Sequence, residues 1–153
     1  MLEHSYENIL VALDGSKLSK LAFERSMAMA KRQNATLHLV HIVDTSPYPG
    51  ASLYDMNFID NALEDGEVFI ENFKHKAENF GVEKINTIVE HGSPKRAITN
   101  KAAKEAQADL IICGATGLYA VERFFLGGVS SYIVRNATCD VLVIRNQEQA
   151  ESK

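Results

Sequence analysis

Three glycines near the end of this sequence have the spacing of a turn that could bind an anion. Two residues separate Gly114 from Gly117, and nine more lie between Gly117 and Gly127. The residues before them, 109–113, form an apolar run of strand length, and those from Val129 onward have helical spacing. A strand that enters a helix through such a turn leaves unpaired N–H groups at the positive end of the helix dipole, where phosphate binds well. The alternative is that these glycines only allow positive φ angles in turns.

The elements that position this turn follow from the alternation of apolar runs along the chain. We predict five strands, at residues 8–13, 36–43, 84–90, 110–113 and 140–145. We predict four helices, at residues 17–33, 56–80 and 94–107 and from about residue 127 onward. This order predicts a doubly wound α/β fold, with a five-stranded parallel sheet sandwiched by four helices. A ligand in such a fold binds beyond the carboxyl ends of the strands, which include the turn at Asp14 and the turn after Cys113.

Individual residues mark the ends of these helices. Ser16 is a suitable N-cap for the first helix, and Asn34 is expected to end it. Ser93 and Pro94 have the order expected of an N-cap followed by the first helical position.

Length and composition restrict the class of protein. The 153 residues predict one domain, with a core at about 6–146 and a polar tail at 147–153. A net charge of −4 argues against a nucleic-acid or membrane-surface partner, because such binding needs clustered Lys and Arg. No apolar run is long enough to cross a membrane, no P-loop is present, and residues 1–7 do not resemble a secretory signal. We therefore expect a cytoplasmic protein.

The cysteines and histidines do not indicate a metal site. Cys113 and Cys139 both flank predicted buried strands, so we expect them to be small core residues, although a disulfide is possible. His38 and His41 are three positions apart on a strand and so lie on opposite faces, which disfavours a shared metal.

The connection at residues 44–55 contains two prolines and is long for a compact domain. It is either a lid or interface segment, or a disordered excursion.

The chain resembles the universal stress protein family over nearly its whole length. The resemblance rests on the run at 9–16, the Gly-Ser-Pro turn at 92–94, the glycine pattern at 114–127 with the Val-Ser pair that follows, and the valine-rich last strand. In the nucleotide-binding branch of that family the glycine motif is Gly-x2-Gly-x9-Gly-Ser/Thr, and it surrounds the ribose and phosphates of ATP. The resemblance therefore implies ATP as the cofactor, alone or with Mg2+.

Matching the motifs position by position implies a set of contact residues. They are Leu13, Asp14, Ile42, Gly114, Thr116, Gly117, Gly127, Gly128, Val129 and Ser130. Leu13 and Ile42 would contact the adenine, and Asp14 would lie near the nucleoside. The glycine-rich turn would lie beside the ribose and phosphates, with N–H groups and the Ser130 hydroxyl facing the phosphates. From the residues alone, Asp14 is alternatively a turn residue and Ile42 a core residue.

One position departs from the family pattern. Gly128 stands where the motif has a hydroxyl residue, so one side-chain donor to phosphate is missing. We expect ATP binding to be weaker than in relatives that have Ser or Thr there.

These observations predict an ATP-binding, stress-associated regulatory protein. One alternative is a stress protein that does not bind nucleotide and acts through dimerisation. The other is a slow ATP hydrolase, although the sequence offers no evident nucleophile or base. Arg123 is either a phosphate contact or a solvated side chain.

The resemblance and the last strand together predict a homodimer. Its interface residues would be Val141, Leu142, Val143 and Ile144, since an apolar strand at a sheet edge exposes unpaired backbone groups.

Overall fold

The computed structural model describes residues 4–46, 53–117 and 126–145, and for residues 53–55 it describes the backbone alone. Within these ranges the strands are β1 Asn8–Ala12, β2 Thr36–Asp44, β3 Lys84–Gly92, β4 Leu110–Gly114 and β5 Asp140–Ile144. Three of the helices are α1 Lys17–Gln33, α2 Leu53–Phe80 and α4 Gly128–Asn136, and the fourth, α3, has three parts. Helix α3 consists of an α-helical turn Pro94–Arg96, a π-helical turn Ala97–Ala102 and an α-helical turn Ala103–Glu105.

The five strands form one parallel sheet with the order β3-β2-β1-β4-β5. Strand β1 pairs with β2 on one side and with β4 on the other, so the strand order reverses between β1 and β4. The predicted doubly wound α/β fold with a five-stranded parallel sheet and four helices is confirmed.

A hydrophobic core covers each face of the sheet. On one face, β1, β2 and β4 pack against α1 and α2 through side chains that include Val11, Phe23 and Phe73. On the other face, the sheet packs against α3 and α4 through side chains that include Leu10 and Ile133. The central strands therefore have apolar side chains on both faces, which explains their nearly continuous apolar sequence.

Several predicted boundaries differ from the structure. Helix α2 begins at Leu53, so the predicted end of the connection at residue 55 is wrong and lies too late in the chain. Helix α3 ends at Glu105, two residues before the predicted end, and Gln107 has a φ of 51°. Residues 47–52 of the predicted lid, Arg123 and the predicted tail at 147–153 lie outside the described residues.

The predicted caps of α1 are confirmed. Ser16 accepts a hydrogen bond from the Ser19 N–H at 3.2 Å, and Asn34 adopts the left-handed conformation at φ 55°. The Asn34 N–H donates to the Ala30 carbonyl, which ends the helix. At α3, Ser93 occupies the N-cap position and Pro94 the start of the helix, but the Ser93 side chain makes no capping bond.

The carboxylate of Asp109 holds the beginning of β1. Its two oxygens accept from the N–H groups of Glu7 and Asn8 at 2.8 and 2.9 Å. Close by, the Tyr6 hydroxyl donates to Asp140 Oδ2 at 2.7 Å, and this hydrogen bond raises the pKa of Tyr6 to about 12. The start of β1 is thus tied to the residues that begin β4 and β5.

A side-chain hydrogen-bond ladder crosses β1, β2 and β3. His38 Nε2 lies 3.0 Å from Asn8 Oδ1, and His38 Nδ1 lies 3.0 Å from Asn86 Nδ2. The amide oxygen accepts from Nε2–H and the amide nitrogen donates to Nδ1, so both ring nitrogens are satisfied when the imidazole is neutral. His38 is 7% exposed, and burial lowers its pKa below the ordinary 6.5.

We predict that His38 makes the fold less stable in mild acid. Because its pKa is lower in the folded chain, the unfolded chain binds the proton more readily, and stability falls as the pH drops below about 6.5. His38→Gln keeps a donor and an acceptor but cannot titrate there. We expect its free energy of unfolding in urea to change less between pH 7 and pH 5 than that of the wild type.

His75→Gln is the control, because His75 is 65% exposed on α2. An unchanged pH dependence in His38→Gln would show that the ladder does not require a neutral imidazole.

Candidate functional site

Three chain segments meet beyond the carboxyl ends of β1 and β4. One is the turn from β1 into α1, the second is the turn at residues 115–117 after β4, and the third is the start of α4 at Gly127. This is the place where the strand order reverses and where a doubly wound sheet binds its ligand.

The first two segments are in contact through Asp14 and Gly117. The exposed Asp14 accepts a hydrogen bond from the Ser16 N–H through Oδ1 at 2.9 Å. A Cβ added to Gly117 would lie only 2.8 Å from Asp14 Oδ2. Gly117 therefore needs to lack a side chain for the carboxylate to occupy this position.

Gly114 is needed for packing between β4 and α1. A Cβ there would lie 2.8 Å from Leu18 Cβ and 3.2 Å from the Leu18 backbone carbon. Of the three glycines that define the motif, Gly114 therefore lets α1 approach the sheet, while Gly117 and Gly127 lie at the turn itself.

The third segment is held against the second by hydrogen bonds. The Gly127 N–H donates to the Ala115 carbonyl at 2.8 Å. The Ser130 hydroxyl lies 2.5 Å from the same carbonyl and 3.1 Å from the Gly127 carbonyl. Since Ser130 is 3% exposed and has one hydroxyl proton, we infer that its side chain links the start of α4 to the turn after β4.

Within the described part of the chain, the first turn of α4 has backbone donors without an acceptor. The Gly127 N–H is bonded to Ala115, and the first N–H to bond back within the helix is that of Ser131, to the Gly127 carbonyl at 2.9 Å. The N–H groups of Gly128, Val129 and Ser130 therefore have no intrahelical acceptor, and Gly127 has no side chain to cap them. Gly128 and Val129 are exposed, so this end of the helix is accessible to an anion.

The remaining predicted contact residues lie around these segments. Thr116 is half-buried between Ala115 and Gly117. Leu13 is 3% exposed and belongs to the core beneath α1 and α2, whereas Ile42 is 9% exposed and belongs to the core beneath α3 and α4. The two side chains therefore lie in different core clusters.

A histidine supports the backbone just before Asp14. His41 Nδ1 lies 2.8 Å from the Leu13 carbonyl, and its ring packs against Phe69 at a centroid distance of 4.6 Å. Sequence spacing carries no signal for this role, or for the inward direction of the Ser130 hydroxyl.

Neither cysteine offers a reactive thiolate, and the described residues contain no metal cluster. Cys113 and Cys139 are free thiols, and burial raises the pKa of Cys113 to about 12. The pKa of Cys139 is raised by burial and by the nearby Asp140 and Asp109. Over the described residues, no group of three or more His, Cys, Asp and Glu side chains could hold a metal ion, and no helix there is long and apolar enough to span a membrane.

The fold and this site define a doubly wound α/β domain in which helix α4 begins, without a side-chain cap, at the topological switch point. The sequence pattern of the Universal stress protein family matches residues 5–145, and the chain belongs to this family. A putative universal stress protein of Staphylococcus epidermidis is 44% identical over 147 residues, which cover 96% of this chain and 89% of the relative.

Solved structures have the same fold. The universal stress protein UspA from Lactobacillus plantarum is 28% identical, with a TM-score of 0.79 over 94% of this chain and 100% of that chain. Two more distant structures, each 24% identical, are a universal stress protein in complex with cAMP and an Arabidopsis thaliana family protein with AMP bound. Their TM-scores are 0.69 and 0.66, over 93% and 96% of this chain and 98% and 97% of theirs.

We predict that Ser130 stabilises the connection between the two segments. Ser130→Ala should cost about 1 kcal/mol, because a buried hydrogen bond is lost while the Ala115 carbonyl keeps its bond from Gly127. For a chain of this size the melting temperature should fall by about 2–4 °C. Hydrogen exchange at the Gly127 amide should become faster.

Ser131→Ala is the matched control. It makes the same change at the next residue, whose hydroxyl makes a longer contact, at 3.4 Å from the Leu126 carbonyl. Equal effects of the two substitutions would contradict a special role for Ser130.

Proposed function

We propose that this universal stress protein binds an adenine nucleotide, with ATP as its ligand, and acts as a regulatory protein. The observation that carries the proposal is a continuous line of contacts at the switch point. The N–H groups at the start of α4 lie beside Thr116. Thr116 is followed by Gly117, which lies against Asp14. This line would offer donors to phosphates at one end and a carboxylate acceptor for ribose hydroxyls at the other.

The relatives with bound nucleotide support an adenine nucleotide over a simple anion. One structural relative is a complex with cAMP and another has AMP bound. Both ligands contain adenosine and phosphate, which match the two ends of the site.

In our proposal the phosphates bind at Gly127, Gly128 and Val129, and the ribose lies between Asp14 and the turn at Gly114–Gly117. Adenine would lie at the ends of β1 and β2, next to Leu13 and Ile42. Ile42, which is 9% exposed against 3% for Leu13, offers the base more surface. Asp14 is also the proposed contact for Mg2+, since carboxylate oxygen is a ligand that Mg2+ prefers.

Ser130 has a positioning role in this proposal. Its hydroxyl lies within hydrogen-bond distance of the Ala115 and Gly127 carbonyls, and we propose that it donates there instead of to a phosphate. We propose that it acts on the phosphates only indirectly, which differs from the direct contact that the sequence motif implies.

We propose that the protein acts through its nucleotide-bound or nucleotide-free state and not through a reaction product. ATP hydrolysis would be slow at most, because the carboxylate at the described site, that of Asp14, is assigned to the ribose and Mg2+ and not to activating water. The compartment we propose is the cytoplasm.

A second candidate is a stress protein that does not bind nucleotide. Gly128 favours it, because this residue has no hydroxyl where the binding branch has one.

Gly128→Ser tests the phosphate-binding turn. A Cβ at this position would have no atom within 4 Å, so the new hydroxyl can be added without a clash. If phosphates bind here, the hydroxyl should donate to them, and ATP should bind roughly three- to tenfold more tightly by calorimetry. Adenosine affinity should not change, because adenosine has no phosphate.

Val134→Ser is the control, since it adds a hydroxyl to the exposed end of the same helix. A wild type that binds ATP no more tightly than adenosine would support the second candidate. If Gly128→Ser tightened the binding of ATP and of adenosine equally, the result would show that the phosphates do not bind at this turn.

We also propose a homodimer through the edge of β5. This strand is the last in the sheet, and Val141, Leu142 and Val143 are partly buried against the cores. The Ile144 carbonyl accepts from the Ala115 N–H at 2.8 Å and so points inward, toward β4. Because backbone groups alternate along a strand, those of Val141 and Val143 point outward, where a second β5 could pair with them.

Val143→Pro should convert the dimer to a monomer. Proline removes an outward N–H but leaves the inward bonds to β4, so the fold should tolerate it at a sheet edge. Val143→Ala removes similar packing while keeping the N–H, and it should remain dimeric in sedimentation velocity. A dimeric Val143→Pro would exclude the β5 edge as the interface.

A further inference from the structure

Strand β3 forms the other edge of the sheet and is open along its outer side. It pairs with β2 over all nine of its residues, Lys84–Gly92, and no strand of the described residues lies beyond it. Every second residue of β3 therefore directs its N–H and C=O away from the sheet. Such an edge can accept an added strand from another chain.

A groove of about 490 Å3 runs along this edge. Its lining comes from β3 and from a helix on each face of the sheet. The lining residues of β3 are Thr87, Ile88, Val89 and Glu90, those of α2 are Glu67, Ile70 and Glu71, and α3 contributes Glu105.

The groove is negatively charged on both sides of the strand. Val89 packs with the α2 core and Ile88 with the α3 core, so side chains along β3 alternate between the two faces. Glu67 and Glu71 lie on the α2 side. Glu90 lies on the α3 side, as its contact with Lys101 shows, and Glu105 belongs to α3 itself.

Some of this charge is already balanced. Lys101 Nζ lies 3.1 Å from Glu90 Oε2. His75 Nε2 lies 3.6 Å from Glu71 Oε1, a contact that is an ion pair only when the imidazole is protonated. Both contacts are at least partly exposed to solvent, so they contribute little and can be exchanged for a ligand's cation.

The spacing of the carboxylates disfavours a metal ion. No three of them among the described residues are close enough to hold one. Separated negative charges along a strand are instead matched by positive charges that are separated in the same way, as on an extended peptide. A second copy of β3 would bring the same carboxylates together, and like charges repel.

We propose that the β3 edge binds an extended basic segment of a partner protein by strand addition. Backbone hydrogen bonds to β3 would hold the segment. Lys or Arg at successive positions would point alternately toward Glu67 and Glu71 on one face and toward Glu90 and Glu105 on the other. This surface is separate from the proposed nucleotide site and does not depend on it.

The probe is a nine-residue peptide in which pairs of lysines alternate with valine and threonine. We expect it to bind the wild type in calorimetry, more weakly as salt is added, and to slow hydrogen exchange in β3. The double variant Glu67→Gln, Glu71→Gln should weaken binding about fivefold or more, because the attraction is electrostatic. Its matched control is Glu64→Gln, Asp65→Asn, which removes the same charge from exposed positions of the same helix outside the groove.

A second peptide separates strand addition from charge alone. It has the same sequence, with N-methyl groups at alternate residues along the edge that would pair with β3. We expect no binding of this peptide. The proposal is overturned if the unmodified peptide does not bind, if both peptides bind equally, or if the two double variants weaken binding to the same extent.

Discussion

Parallel pairing of β1 with β4 is the constraint on which the rest of the structure depends. The paired residues are Ile9 with Leu110, Leu10 with Ile111 and Val11 with Ile112, and each is at most 2% exposed. From this pair the chain continues to β2 on one side and to β5 on the other. The segments that follow β1 and β4 therefore lead away from each other. Asp14 and Gly117 lie against each other at the point where these segments separate.

Much of the fold could be predicted because strands buried on both faces must be apolar along their length. The caps of α1 were also predictable, since Ser16 and Asn34 have side chains that act locally. The start of α2 was not, because Tyr54 and Asp55 have low helix propensity and obscure the first turn. The π-helical turn in α3 has no sequence signal in Ala97–Ala102 that we can identify.

The site was predictable at the level of its glycines but not of its hydrogen bonds. Spacing alone indicates that Gly117 and Gly127 belong to one turn. It does not indicate that Ser130 contacts the Ala115 carbonyl, which is 15 residues away in sequence, or that His41 supports the Leu13 carbonyl. Both contacts depend on the tertiary arrangement of separate elements, which a local pattern does not record.

The attachment of β1 to Asp109 has a consequence for synthesis of the protein. The carboxylate that accepts the N–H groups of Glu7 and Asn8 is about a hundred residues further along the chain. At a translation rate of about 5–20 residues per second, roughly 5–20 s separate the synthesis of β1 from that of β4. During this time the side of β1 that pairs with β4 has no strand beside it. Strand β1 therefore completes its pairing only after about a hundred further residues have been synthesised.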